Sequence, residues 1–193
     1  SSFGSGRKMK SELIAEIAGI LGYAAERSGD KVGAVLFAGE VEKMLPPQKG
    51  RAHVLRLVSD ILSHETHSMG TSLAKALETA RQILKQSGVV VILSDFQCED
   101  FKTELSHLAK RNDVIALEIQ DPSETKVPPL GHVLVVDPES GREAMVDTSS
   151  YGFKHWMEQE KTKRQETLKQ TLKSAGVGHV EMRTNEDYTQ ALV

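Results

Sequence analysis

The chain has 193 residues, of which 39% are hydrophobic and 26% charged, with a formal net charge of −3, the make-up of a soluble globular protein long enough for one sizeable core. So small a net charge excludes a strong pull toward nucleic acid or acidic membranes. The single cysteine, Cys98, excludes a disulfide framework and a zinc site built on cysteine pairs, and fits a reducing compartment.

From Lys8 to Ser28 the apolar positions Leu13, Ile14, Ile17, Ile20, Leu21 and Ala24 recur at helical spacing, and Gly29-Asp30 supplies the stop. Val32 to Phe37 reads as a nearly continuous apolar strand, and Val41 to Leu45 as a shorter edge strand halted by Pro46-Pro47. A helix from about Gly50 to Ser63 buries Val54, Val58, Ile61 and Leu62; another from Thr71 to Gln86 buries Leu73, Ala76, Leu77, Ala80 and Leu84. The run Val89 to Leu93 has no polar alternation and needs cover on both faces. A helix around Phe101 to Arg111 and a strand from Val114 to Ile119 continue the alternation.

Pro122 to Leu130 is turn-rich, and His132 to Val136 with Glu143 to Val146 flank Asp137-Pro138-Glu139-Ser140-Gly141 as a β-hairpin, the one antiparallel element expected. A polar helix from about Gly152 to Ser174 turns a stripe of Phe153, Trp156, Met157, Leu168 and Leu172 inward. Val177 to Met182 is a last strand, and Tyr188 to Val193 begins a final helix. Helices alternating with apolar strands predict one α/β domain over 1–193, an open, mainly parallel, doubly wound sheet with helices on both faces. No stretch approaches the roughly 20 apolar residues that a membrane-spanning helix needs.

Two motifs stand where such a sheet gathers ligands, at its carboxyl edge. Gly70-Thr71-Ser72-Leu73 places a hydroxyl at the start of a helix, and Ser94-Asp95-Phe96 places a carboxylate at the end of a buried strand. Two oxygen donors on neighbouring loops can hold Mg²⁺ with the help of further ligands. Thr71 is also a good helix N-cap, and Asp95 could equally cap the next turn.

The order Phe3-Gly4-Ser5-Gly6, Gly29-Asp30-Lys31-Val32-Gly33, Leu36-Phe37, Leu45-Pro46-Pro47-Gln48-Lys49-Gly50-Arg51, Gly70-Thr71-Ser72-Leu73, Leu93-Ser94-Asp95-Phe96 and Asp137-Pro138-Glu139-Ser140-Gly141 resembles bacterial domain-of-unknown-function family number 58, a branch of the von Willebrand factor A-like (vWA) domains associated with MoxR-type AAA+ ATPases. The resemblance implies a Rossmann-like doubly wound sheet whose metal-ion-dependent adhesion site (MIDAS) binds a protein partner, with no enzyme activity. In such domains an Asp-x-Ser-x-Ser loop after the first strand, a threonine and an aspartate hold the ion; Thr71 and Asp95 match the last two. The loop's aspartate and first serine precede Ser1, and Ser1 and Ser2 read as a terminus rather than as ligands. The resemblance therefore implies Mg²⁺ or Mn²⁺ in the intact protein and weak or no binding in a chain beginning at Ser1.

It also implies that the first, central strand is missing, which leaves two strands with unpaired edges, and that the natural protein is longer at both ends. A cytoplasmic location follows, with any membrane anchor in an upstream part.

Other constellations are weaker. In His64-Glu65-Thr66-His67 the second histidine comes one residue too early for the zinc-protease motif. Phe3-Gly4-Ser5-Gly6-Arg7-Lys8 before a helix could offer N–H groups to a phosphate but lacks the P-loop spacing. Cys98 could act as a nucleophile with His107 or His132, although a lone cysteine is usually a small semi-buried residue. The mixed-charge run Glu158 to Arg164 is a solvated helix face, with Trp156 and Met157 assigned to the core. The alternative function is a small-molecule, hydrolase-like enzyme using Asp95 or Cys98; binding is preferred because no acid–base pair, triad order or cofactor loop is visible.

Overall fold

The computed structural model describes residues 10–64, 70–98, 100–121, 131–136 and 143–184. Ser1 and Ser2, the glycine loop at 3–6, Glu65-Thr66-His67, the Pro122–Leu130 loop, the Asp137–Gly141 turn and the expected Tyr188–Val193 helix lie outside the described residues. The elements in chain order are α1 (Lys10–Arg27), β1 (Val32–Phe37), β2 (Val41–Gln48), α2 (Arg51–Leu62), α3 (Leu73–Ile83), β3 (Val89–Ser94), α4 (Lys102–Ala109), β4 (Asp113–Gln120), β5 (His132–Val136), β6 (Glu143–Asp147), α5 (Tyr151–Ser174) and β7 (Gly178–Arg183). They divide into two units, residues 1–121 with 171–193 and residues 122–170.

The first unit is a mixed α/β arrangement organised around α1. Leu13 and Ile17, at helical spacing, bury against Leu117, Ile119 and Met182, joined by Val91, Leu93 and Val180. Ala15 on the neighbouring flank packs with Leu45, Leu57 and Ile61, joined by Val32, Ala34 and Leu36, and Ile14 belongs to both clusters. One helix therefore backs both β1–β2 and β3–β4–β7. Strand alternation sends Val114 and Ala116 to the other side of β4, where α4 packs and buries Leu105 and Leu108. The three-stranded sheet is thus flanked by helices on both faces.

β3, β4 and β7 are parallel, with Val89 to Ser94 beside Asp113 to Glu118, and Ile115 to Gln120 beside Gly178 to Arg183. β1 and β2 form a separate antiparallel pair. Among the described residues no strand pairs with the outer edge of β1 or of β3.

The antiparallel β1–β2 pair corrects the expectation that the 132–147 hairpin is the one antiparallel element. Only Ala38, Gly39 and Glu40 separate β1 from β2, far short of the dozen or so residues that a parallel crossover needs. Pro46-Pro47 does not halt β2, which runs on to pair Gln48 with Val32. The strand is an edge, where a missing N–H is tolerated, and the register shifts between Val32 and Ala34. At that irregularity a Cβ on Gly33 would stand 2.8 Å from the Leu45 carbonyl oxygen and 2.9 Å from the Pro47 nitrogen, so only glycine fits.

Two expected core positions are also corrected. Leu57 takes the buried position on α2 that had been expected for Leu62, which is 56% exposed. Ile20 on α1 is 45% exposed, because the arc facing the sheets is completed by Ala15 instead.

In the second unit β5 and β6 pair antiparallel from His132↔Asp147 to Val136↔Glu143. The Thr148 N–H and hydroxyl both donate to the Gly131 carbonyl, at 2.9 and 3.0 Å, and close the open end of the hairpin. The Ser150 hydroxyl accepts the Phe153 N–H at 3.2 Å and so starts α5. Trp156 is not core: it is 53% exposed and leans on Phe153 at 5.9 Å, since the helix around it is polar.

Candidate functional site

The direction of α1 fixes which strand ends share an edge. Its first residue, Lys10, reaches Asp95 just beyond the end of β3. Near its last turn, a Cβ on Gly22 would lie 3.9 Å from Val32 at the start of β1. β1 and β3 therefore run in the same sense, both opposite to α1, and their carboxyl ends lie at one edge. Thr71 is held there because the next residue, Ser72, donates its N–H to the Ala38 carbonyl oxygen, just past β1, at 2.6 Å. An ion pair between Lys75 and Glu40 fastens the first turn of α3 to the same β1–β2 corner. Thr71 and Asp95 thus sit at one edge, Thr71 on the loop between α2 and α3 that is tied to the end of β1, and Asp95 on the loop after β3.

Thr71 is half-buried and precedes the helix; Ser72 occupies the N-cap position and makes no side-chain cap bond. The capping role weighed for Thr71 is therefore not the one its place gives it. Asp95 does cap its turn: Oδ1 accepts the Gln97 N–H at 3.1 Å, while Oδ2 takes the Lys10 ammonium at 3.2 Å. The following residue, Phe96, has φ 52°, a left-handed conformation rare for a bulky side chain. The strain is held by burial of its ring, packed 5.9 Å from that of Phe101, and by its N–H donating to the buried Ser94 hydroxyl at 3.1 Å. Strained backbone of this kind gathers at functional sites, where surrounding packing enforces it.

Sequence reasoning missed Lys10. Its signal was a cation in the first turn of a helix, where the dipole disfavours positive charge; a nearby carboxylate offsets that cost. As a donor set, the Asp95 carboxylate and the Thr71 hydroxyl are hard oxygens suited to Mg²⁺ or Mn²⁺, and Oδ2 already receives a cationic group, the tethered ammonium of Lys10.

The other sequence candidates separate. Cys98 is half-buried beside the carboxyl-edge loop. His107 lies in the last turn of α4, by Ser87 and Asn112 at the amino edge of β3 and β4, so the structure does not bring these two together. His132 belongs to the hairpin unit. His64 pairs with the largely buried carboxylate of Glu42 at 2.6 Å, which gives it a structural role at the end of α2.

The sequence matches the family described as "Protein of unknown function DUF58" over residues 1–167. The chain belongs to the DUF58 family. It is 25% identical to "Uncharacterized protein Rv1480" of Mycobacterium tuberculosis over 196 aligned residues, covering 99% of this chain and 61% of that protein. This DUF58 chain therefore spans about three fifths of the length of that curated relative. "Uncharacterized protein MAV169" of Mycobacterium avium is 26% identical over 154 residues, covering 77% of this chain and 89% of its own length. Among solved structures, the conserved hypothetical protein BatB from Bacteroides thetaiotaomicron superposes with a TM-score of 0.55 at 16% identity, over 94% of this chain and 84% of that one. That likeness is one of fold.

Proposed function

We propose that this DUF58 domain is a protein-binding module of the von Willebrand factor A-like kind rather than an enzyme. It engages a partner protein through a divalent ion at a metal-ion-dependent adhesion site at the carboxyl edge, within a MoxR-type AAA+ ATPase chaperone system. The observation that carries the reading is the Asp95 carboxylate, raised on a strained loop at the end of a parallel strand, already paired with a cation, and sharing its edge with the Thr71 hydroxyl.

In this reading Asp95 supplies compensating charge through Oδ2 and Thr71 a neutral oxygen that orients the ion. A bound Mg²⁺ or Mn²⁺ would supply positive charge for a carboxylate of the partner. Lys10 would serve as a resident counter-charge to Asp95, one that a bound ion would have to displace from Oδ2. Ser94 and Phe96 hold the loop in its strained form, so that the carboxylate does not have to be ordered at the moment of binding. Among the described residues no helix is long and apolar enough to cross a membrane; the reading places the domain in the cytoplasm, with any anchor outside this chain.

The test is calorimetry with Mg²⁺ and Mn²⁺ on a form extended upstream of Ser1, alongside its Asp95→Ala and Thr71→Ala variants. Saturable binding that Asp95→Ala abolishes and Thr71→Ala weakens is expected. A hydrolytic activity that survives Asp95→Ala, with no response to either metal, would overturn the reading in favour of an enzyme.

A further inference from the structure

A second set of ligating side chains lies on the face of β4 and β7 turned away from α1. The register sets Ala116 beside His179 and Glu118 beside Glu181. Since Leu117, Ile119, Val180 and Met182 face α1, alternation sends Glu118, His179 and Glu181 together to the opposite face. Their ligand atoms all lie within 4.8 Å of one another. Glu118 is buried at 6% exposure, His179 is partly buried and Glu181 is exposed.

We propose that Glu118, His179 and Glu181 form a site for a borderline divalent cation of the zinc class, which clamps β7 to β4. The donor set selects the ion: an imidazole nitrogen with two carboxylates suits Zn²⁺ and its first-row neighbours, whereas Mg²⁺ and Ca²⁺ take oxygen ligands. One histidine, two carboxylates and a water complete the four-coordinate shell that zinc prefers.

The spacing of one ligand pair is close to that of a formed site. Two ligand atoms each about 2.0–2.1 Å from a zinc ion stand roughly 3.0–3.4 Å apart. His179 Nε2 and Glu118 Oε2 are 2.9 Å apart, so a small separation admits the ion. Independently of this pair, the other oxygen of Glu118 is fixed from outside: the Gln120 amide donates to Oε1 at 2.7 Å and aims Oε2 at His179. Such an outer partner orients ligands in metal sites. Glu118 and Glu181 are also cross-strand neighbours, so one cation can meet both carboxylates. A metal ion at Nε2 needs that nitrogen's lone pair, so the ring hydrogen of a neutral ligating imidazole lies on Nδ1.

This site shares no residue with Thr71 and Asp95 and does not depend on the metal reading there. The test is titration of the untagged chain with zinc chloride against a competing chelator, by calorimetry and by elemental analysis after dialysis. One zinc per chain is expected, with affinity falling more than about tenfold in His179→Ala, falling also in Glu181→Gln, and unchanged in Asp95→Ala. Excess Mg²⁺ should not displace the zinc. Glu181 is exposed, so its variant decides the matter if His179→Ala fails to fold. Absence of stoichiometric zinc, or uptake undiminished in Glu181→Gln, overturns the proposal and leaves Glu118 and His179 as a bare ion pair.

Discussion

If Lys10 holds the place of the ion, removing its charge should tighten metal binding. The ammonium and the Asp95 carboxylate are 3.2 Å apart with side chains 23% and 30% exposed, so the pair is screened and contributes about 0.2–1 kcal/mol. Freeing Oδ2 costs an incoming ion that much. An ammonium displaced to about 5 Å from a divalent ion adds repulsion of roughly 1–2 kcal/mol in a water-like dielectric. Together these predict a loss of about 1–3 kcal/mol on metal entry, or a roughly five- to 150-fold gain in affinity on Lys10→Met, a change that keeps the apolar stem. The assay is calorimetric titration with Mg²⁺ and Mn²⁺ at matched ionic strength, on the form extended upstream of Ser1. Equal affinities in wild type and Lys10→Met, with binding still abolished by Asp95→Ala, would refute the displacement argument while leaving the site intact. Absence of binding in both would instead count against the metal.

Two further substitutions probe the scaffold. Ile17 is fully buried between α1 and the β3–β4–β7 sheet, so Ile17→Ala should cost about 2–5 kcal/mol by urea denaturation; a loss below about 1 kcal/mol would mean that α1 is not the shared backing described. Gly33→Ala sets a Cβ 2.8 Å from the Leu45 carbonyl oxygen and should cost roughly 1–3 kcal/mol. An unchanged melting temperature would show that the β1–β2 irregularity is not the close approach inferred.

Most of the elements were legible in order because burial leaves a local signature. The apolar spacing of Leu13, Ile14 and Ile17 marks a helix, and the uninterrupted run from Val89 to Leu93 marks a strand, whose first residue, Val89, stays 65% exposed against the expected cover on both faces. The position of Thr71 before a helix and of Asp95 after a strand was likewise readable from the chain. Trp156 was misplaced because helical spacing says which side chains share a stripe and not whether anything covers it.

The sequence by itself determined the alternation of helices and strands, the hairpin and the loops that carry Thr71 and Asp95, since each depends on neighbours within a few residues. Only the tertiary structure decided that β1 pairs antiparallel with β2 past Pro46-Pro47, that Lys10 meets Asp95 across 85 residues, and that Glu118 meets His179 across 61. The physical reason is that these pairings are set by strand register and by the direction in which α1 lies along the sheets. A register shift of one residue would send every side chain of β7 to the other face.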